Sequence, residues 1–261
     1  MKLVPEDVTD LKHAKKLLEH PSMAARLTDA LATPIEKGFA LLPHKWAEVV
    51  HTATRKSIEK ALQFAVMTMN RKHRSRSSNV IHKIAVATSG ATGGAFGLIS
   101  LPVELPISTI VMLRSIADIA RSEGEDLNSP EAELNCLQIF ALGGKSEKDN
   151  AAETGYYAIR ATLSKAVTDA IKHIADRGLS EKGAPVLVRL IAIIASRFGV
   201  VVSEKVAAMA IPVVGAVGGA LINTIFMDHF QHIARGHFTI RRLERKYGAD
   251  LIEKEYEKLS D

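Results

Sequence analysis

Along most of this chain apolar positions recur every three or four residues, the spacing of one face of a helix. Val8, Leu11, Ala14, Leu17 and Leu18 form such a stripe behind Pro5, a residue suited to a first helical turn. A short Ala/Leu-rich segment follows from Met23 to Leu42. Pro43 then opens a longer helix carrying Trp46, Val49, Val50, Ala53 and Ile58. Further helices are predicted over about 107–123, 148–176, 183–197, 199–210, 212–235 and 237–259. Ser129-Pro130-Glu131 reads as a cap, a first-turn proline and a favourable dipole charge, opening a helix to about Leu142. Strand-like alternation is nearly absent, and the β-branched run Val200–Val202 reads as buried helix.

Two stretches depart from amphipathic spacing. Ile84–Val103 and Val206–Met227 contain no charge and are long enough to cross a bilayer as helices. They are built from Gly, Ala, Ser, Thr and Val, so backbones can approach closely at Gly90, Gly93 and Gly97, or at Gly215 and Gly219. Each is therefore a tightly packed central helix or a weak membrane inserter. The expected fold is all-α: a multi-helix bundle with two central Gly/Ala-rich helices packed closely together. One helical domain is expected over 1–261, with an N-terminal helical extension at 1–42 and a core at 43–250. Gly143-Gly144, with the charges that follow, is the best linker candidate.

Composition narrows the function. An apolar fraction of 47% with mean hydropathy +0.07 is rich for a soluble protein and poor for a polytopic membrane protein. A net charge of +5 favours anionic partners. Only 5% of residues are aromatic, which disfavours base-stacking platforms and hence nucleic acid. A single cysteine, Cys136, excludes an internal disulfide and a Cys-based zinc site. The N-terminus lacks the apolar core of a signal peptide, so the expected location is cytoplasmic, with a peripheral position on the inner membrane face as the variant.

Candidate chemistry lies in two places. In Leu101-Pro-Val-Glu-Leu-Pro-Ile107 two prolines four apart are expected to break the helix, leaving Glu104 among apolar neighbours with Arg114 or a backbone N–H as its partner. Arg114, Asp118 and Arg121 follow on one helix face. Further on, His237, Arg241, Glu244 and Gly248 share a face beside the apolar stripe Ile233, Ile240, Leu243, Tyr247 and Leu251. Asp228 and His232 lie about 40° apart and form a weak metal pair without a closed ligand set. No nucleotide loop, nucleophile elbow or other cofactor motif is present, so no cofactor is expected.

The run Gly90–Glu131 closely resembles the central motif of the EcsC protein family. Ile211–Gly248 resembles its C-terminal motif, including Asn223, Phe226, His237-Phe238, Arg241, Leu243-Glu244 and Tyr247-Gly248. The match spans roughly residues 45 to 250. At one position it departs: the family's usual LPxDLP has Asp where this chain has Glu104. The resemblance implies a bacterial, cytoplasmic or membrane-peripheral protein linked to an ABC transporter and secretion, and it brings no catalytic residues.

Two functional classes follow. The first is a non-enzymatic, membrane-peripheral protein binding a lipid or apolar ligand, with Gly93, Gly97, Glu104, Arg114, Asn223, His237 and Arg241 as binding candidates. Phe96, Met112, Leu113, Ile225 and Phe226 would line its cavity, while cations near 71–76 and Arg241–Lys246 meet acidic head groups. Transporter components and a homodimer are the protein partners this reading admits. The second is a hydrolase using Glu104, Asp118, His237 and Glu244, which requires Glu104 and His237 to converge on one pocket.

Overall fold

The computed structural model describes residues 3–19, 23–69, 97–144, 155–177, 184–212 and 215–259. Ten helices and no strand occur among them. In chain order they are α1 (Pro5–Glu19), α2 (Met23–Leu31), α3 (Glu36–Ala40), α4 (Trp46–Met69) and α5 (Gly97–Ser122), then α6 (Pro130–Leu142), α7 (Tyr156–Arg177), α8 (Pro185–Ala210), α9 (Gly215–Tyr247) and α10 (Ala249–Lys258). The fold is an all-α multi-helix bundle.

At its centre is α6. Ser129 caps it by accepting from Ala132 N–H at 3.1 Å, Pro130 fills the first turn, and Glu131 and Glu133 face the positive helix end. Every residue from Ala132 to Leu142 is buried, because α4, α5, α7, α8 and α9 all pack around it. It runs antiparallel to α9: Gly143 meets Phe230 at one end and Glu131 meets Arg241 at the other. Phe140, Phe198, Phe226 and Phe230 interlock at the junction of α6, α8 and α9, with ring centroids 5.0–6.0 Å apart. Leu11, Ala14, Met23, Leu27 and Ile35, from the N-terminal segment, join the same core.

Several expected breaks do not occur. Helix α5 continues through both Pro102 and Pro106. Prolines four apart share one face, so the lost backbone bonds fall on one side, while Leu101 and Leu105 stay buried and α5 lies along α4. Helix α8 passes through Gly199 without interruption, and α9 passes through Gly236, where α1 sits so close that a Cβ would meet Leu18 at 2.7 Å. The helix ends instead at Gly248, whose φ of +91° suits glycine. The Gly143-Gly144 pair is a packing junction, a Cβ on Gly144 sitting 2.0 Å from the Arg197 carbonyl oxygen, while the charges of the linker candidate at 145–150 lie outside the described residues.

The uncharged stretch Val206–Met227 is not one helix. It divides between the end of α8 and the start of α9, with Pro212 between them, since proline cannot continue the backbone ladder. Among the described residues one helix, α8, is long and apolar enough to cross a membrane, and it packs against α2, α3, α4, α6, α7 and α9. The first Gly-rich stretch lies, up to residue 96, outside the described residues, as do Gly90, Gly93, Phe96 and the basic run 71–76.

Candidate functional site

Near the last turns of α8, one lysine points into apolar surroundings. Lys205 is 1% exposed between Val201, Val202 and Val206. Its Nζ donates to Glu104 Oε1 at 2.8 Å and lies 4.8 Å from the centroid of the Phe226 ring. A buried ammonium is tolerated only when paired, and the carboxylate and ring face supply that pairing. Glu104 therefore finds its partner on α8 rather than in Arg114, which lies half-buried further along α5. Asn223 precedes Phe226 by one turn on α9. Its side-chain carbonyl oxygen is buried and has no hydrogen-bond partner among the described residues.

A second constellation lies further along α9. His237 is fully buried, with Nδ1 2.9 Å from the Tyr156 hydroxyl. Arg160 donates to that hydroxyl oxygen at 3.3 Å and forms two bonds to Glu244, at 2.6 and 2.7 Å. Tyr156 and His237 thus share one hydrogen bond, and His237 Nε2 is buried with no partner among the described residues. Burial, reinforced by Arg160 and Arg241, holds His237 well below the ordinary imidazole range. Burial also pushes Tyr156 up, so the dyad is a neutral imidazole bonded to an intact phenol.

These constellations do not converge. From Phe226 to His237 is eleven residues along one helix, about 16 Å of rise. Glu104 and His237 thus stand in separate surroundings. Asp118 is elsewhere again, on the surface in an exposed pair with Arg121. The acid/His arrangement that the hydrolase reading requires is not assembled. Asp228 and His232 gather no third ligand, because no group of three or more His, Cys, Asp or Glu suited to a metal occurs among the described residues.

The basic run at the end of α9 is committed inside the chain. Arg241 is bidentate to Glu125, at 2.8 and 3.1 Å, and reaches Glu131. Arg242 meets Glu123 at 2.7 Å and Asp10 at 2.6 Å, and Arg245 bonds Glu125. Lys246 and the Tyr247 hydroxyl both donate to Asp7 at 2.6 Å, which holds that carboxyl below its ordinary range. Burial raises Glu125, but Arg241 and Arg245 outweigh it and its pKa is lowered. The expected contact of Arg241–Lys246 with acidic head groups gives way to a lock between α9, α1 and the turn after α5.

An open groove of about 460 Å³ lies among α2, α3, α4 and α8. Ile35, Phe39, Trp46, Val50 and Val200 give it apolar walls, and Phe39 and Trp46 stand 5.6 Å apart at 49°. It forms because α3 presses onto α8, Gly38 allowing contact with the Ala207 backbone that a Cβ would block at 2.0 Å. The expected cavity wall is different: Met112, Leu113 and Phe226 are buried core residues. Sequence reasoning missed the groove, Lys205, and the Tyr156–Arg160 support of His237. One signal pointed to Lys205: Glu104 directly follows the first uncharged stretch, and Lys205 of opposite sign directly precedes the second.

A family model described as the EcsC protein family matches residues 6–243, so the match takes in α1 to α3 beyond the span of the resemblance. No curated protein and no solved structure matches the chain.

Proposed function

The chain belongs to the EcsC protein family, and we propose that it is a membrane-peripheral protein that holds an apolar, lipid-like ligand in the groove between α3, α4 and α8. The observation that carries this reading is the groove itself: a volume of about 460 Å³ is in the range of small-molecule sites, and aromatic and aliphatic walls dominate it. Its α8 wall runs to Ser203 and Glu204, next to Lys205. Around those last turns three large apolar side chains stand exposed: Leu41 just after α3, Val103 beside Glu104, and Leu221 near Phe226. An apolar bundle end of this kind supports a membrane surface as the neighbour. A transporter component, as partner for the bound ligand, belongs to the same proposal.

Groove occupancy is testable by filling it. A Cβ at Gly199 would find its nearest neighbour, Thr54, only at 4.0 Å, so Gly199→Leu projects into space rather than into backbone. Protein purified without detergent is expected to bind a neutral apolar dye such as N-phenyl-1-naphthylamine. Gly199→Leu is expected to weaken that binding at least about ten-fold, with helicity unchanged by circular dichroism. Equal dye affinity in the folded variant would remove the groove from the proposal.

A further inference from the structure

Helices α1 and α9 run antiparallel, and their contact changes character along its length. At one end the signs match: Asp7 meets Lys246 and Asp10 meets Arg242. Further along α1 the two backbones close up at Gly236, where a Cβ would lie 3.0 Å from the Ala14 carbonyl oxygen. His13, beside Ala14, is thereby carried toward Arg235 and His232, and α2, packed on the same helix, brings Arg26. Here like charges gather. Burial holds His232 below the ordinary imidazole range, and Arg26, Arg235 and His13 push it the same way, while Asp228 opposes them. Side chains of three helices thus make a positive field that an anion from outside would relieve.

This cluster continues an apolar stripe. At 100° per residue, Leu221, Asp228, His232 and Arg235 fall within about 60° on one face of α9. Leu221 and Arg235 are exposed, and Asp228 and His232 half-buried. From Leu221 to His232 is eleven residues, about 16 Å of rise, and a flexible arginine side chain shortens the interval to its charge. An apolar group followed along one face by cations matches the order of a bilayer surface, acyl boundary and then phosphate.

We infer that this face of α9, with Arg26 and His13 beside it, docks on a membrane containing anionic lipid, Leu221 at the acyl boundary and Arg26 and Arg235 at the phosphates. The inference rests on the membrane-peripheral reading above and adds the sign of the lipid and the residues that meet it. It gives to Arg26 and Arg235 the contact that the cations of Arg241–Lys246, locked inside the chain, do not make.

The test is co-sedimentation of the intact protein at pH 7.5 with vesicles of phosphatidylcholine, alone or with one third phosphatidylglycerol. The anionic vesicles are expected to bind at least about ten-fold tighter. Arg26→Gln with Arg235→Gln is expected to weaken that binding about ten-fold or more. Lys165→Gln with Lys172→Gln removes the same charge from exposed positions on α7, and is expected to weaken it less than about three-fold. Asp228→Asn is expected to tighten it about three-fold, a gain that damaged packing would not produce. Circular dichroism establishes that each variant is folded; if the double arginine variant is not, Arg235→Gln alone, at an exposed position, still weakens binding about three-fold. Equal losses in the two double variants assign binding to overall charge and overturn the inference, as does unchanged binding by the arginine variant or by Asp228→Asn. Equal binding to both kinds of vesicle overturns the anionic preference and leaves the membrane reading standing. Binding to neither overturns both.

Discussion

Helix α9 has two unlike halves. From Gly215 to Met227 it carries no charge, whereas from Arg241 to Lys246 five of its six residues are ionised. The crowded half is saturated: Arg241, Arg242, Arg245 and Lys246 each meet carboxylates of α1, the turn after α5 or the start of α6, and Glu244 takes both Arg160 bonds. At the sparse half one ion pair from neighbouring helices is buried against Phe226, one amide oxygen has no donor among the described residues, and Leu221 stands exposed. Charge density in this molecule marks a lock between elements. The isolated polar groups stand at the end to which we assign the ligand and the membrane.

The comparison is most exposed at Lys205. Replacing it by alanine leaves Glu104 without its counter-charge beside apolar walls, and the expected loss is about 3–5 kcal/mol in urea unfolding. Lys205→Met combined with Glu104→Gln removes both charges, and is expected to recover most of that loss or exceed the parent. A loss below about 1 kcal/mol for Lys205→Ala would class the pair with ordinary surface bridges, and the contrast between the two halves would collapse.

Between the halves sit two buried imidazoles, and they set the acid response. His229 donates Nε2–H to the Gly143 carbonyl oxygen at 2.8 Å, and burial brings its pKa down to about 4. His237 is shifted in the same direction, also first by burial. Because the folded values lie below the unfolded one of about 6.5, the unfolded chain takes up protons first as pH falls. The histidine share of stability is therefore flat above about pH 7 and declines on acidification, His229 alone contributing a loss of about 2 kcal/mol by pH 5. Asp7 and Glu125 have lowered values, so their share is lost only at more acidic pH. Urea midpoints at pH 7.5 and 5.0 measure the decline. His229→Gln keeps a donor toward Gly143 and is expected to remove its part, whereas an unchanged decline would mean that His229 does not carry it.

What was legible in the sequence was local. The all-α class, the Ser129 cap, the α1 stripe and the helical run Val200–Val202, of which Val201 and Val202 are buried, follow from periodicity and end chemistry that a few neighbouring residues decide. Continuity through Pro102, Pro106, Gly199 and Gly236 was not legible, because tertiary packing outweighs single helix-breaking residues. The partner of Glu104 lies 101 residues away, beyond any spacing rule, and only the opposite signs of the charges bordering the two uncharged stretches hinted at it. For His237 the face was readable, but Tyr156 and Arg160 approach from α7. The groove was least legible, since its aromatic pair comes from short α3 and the first residue of α4, and α8 closes the wall.

The smallest expected effect tests the same idea at its other limit. Asp118 and Arg121 form a 2.8 Å pair one turn apart on α5, as close as the Lys205–Glu104 contact, but their side chains are 73% and 65% exposed. Both ions keep most of their hydration, salt screens them, and holding two long side chains in register has an entropic cost. Arg121→Ala is therefore expected to change stability by less than about 0.5 kcal/mol, a difference that vanishes in 0.5 M salt. Equal distances with unequal consequences would locate the energetic weight of these pairs in desolvation. A loss at Arg121 approaching that at Lys205 would instead assign it to contact geometry, and burial would no longer separate a site from a surface bridge.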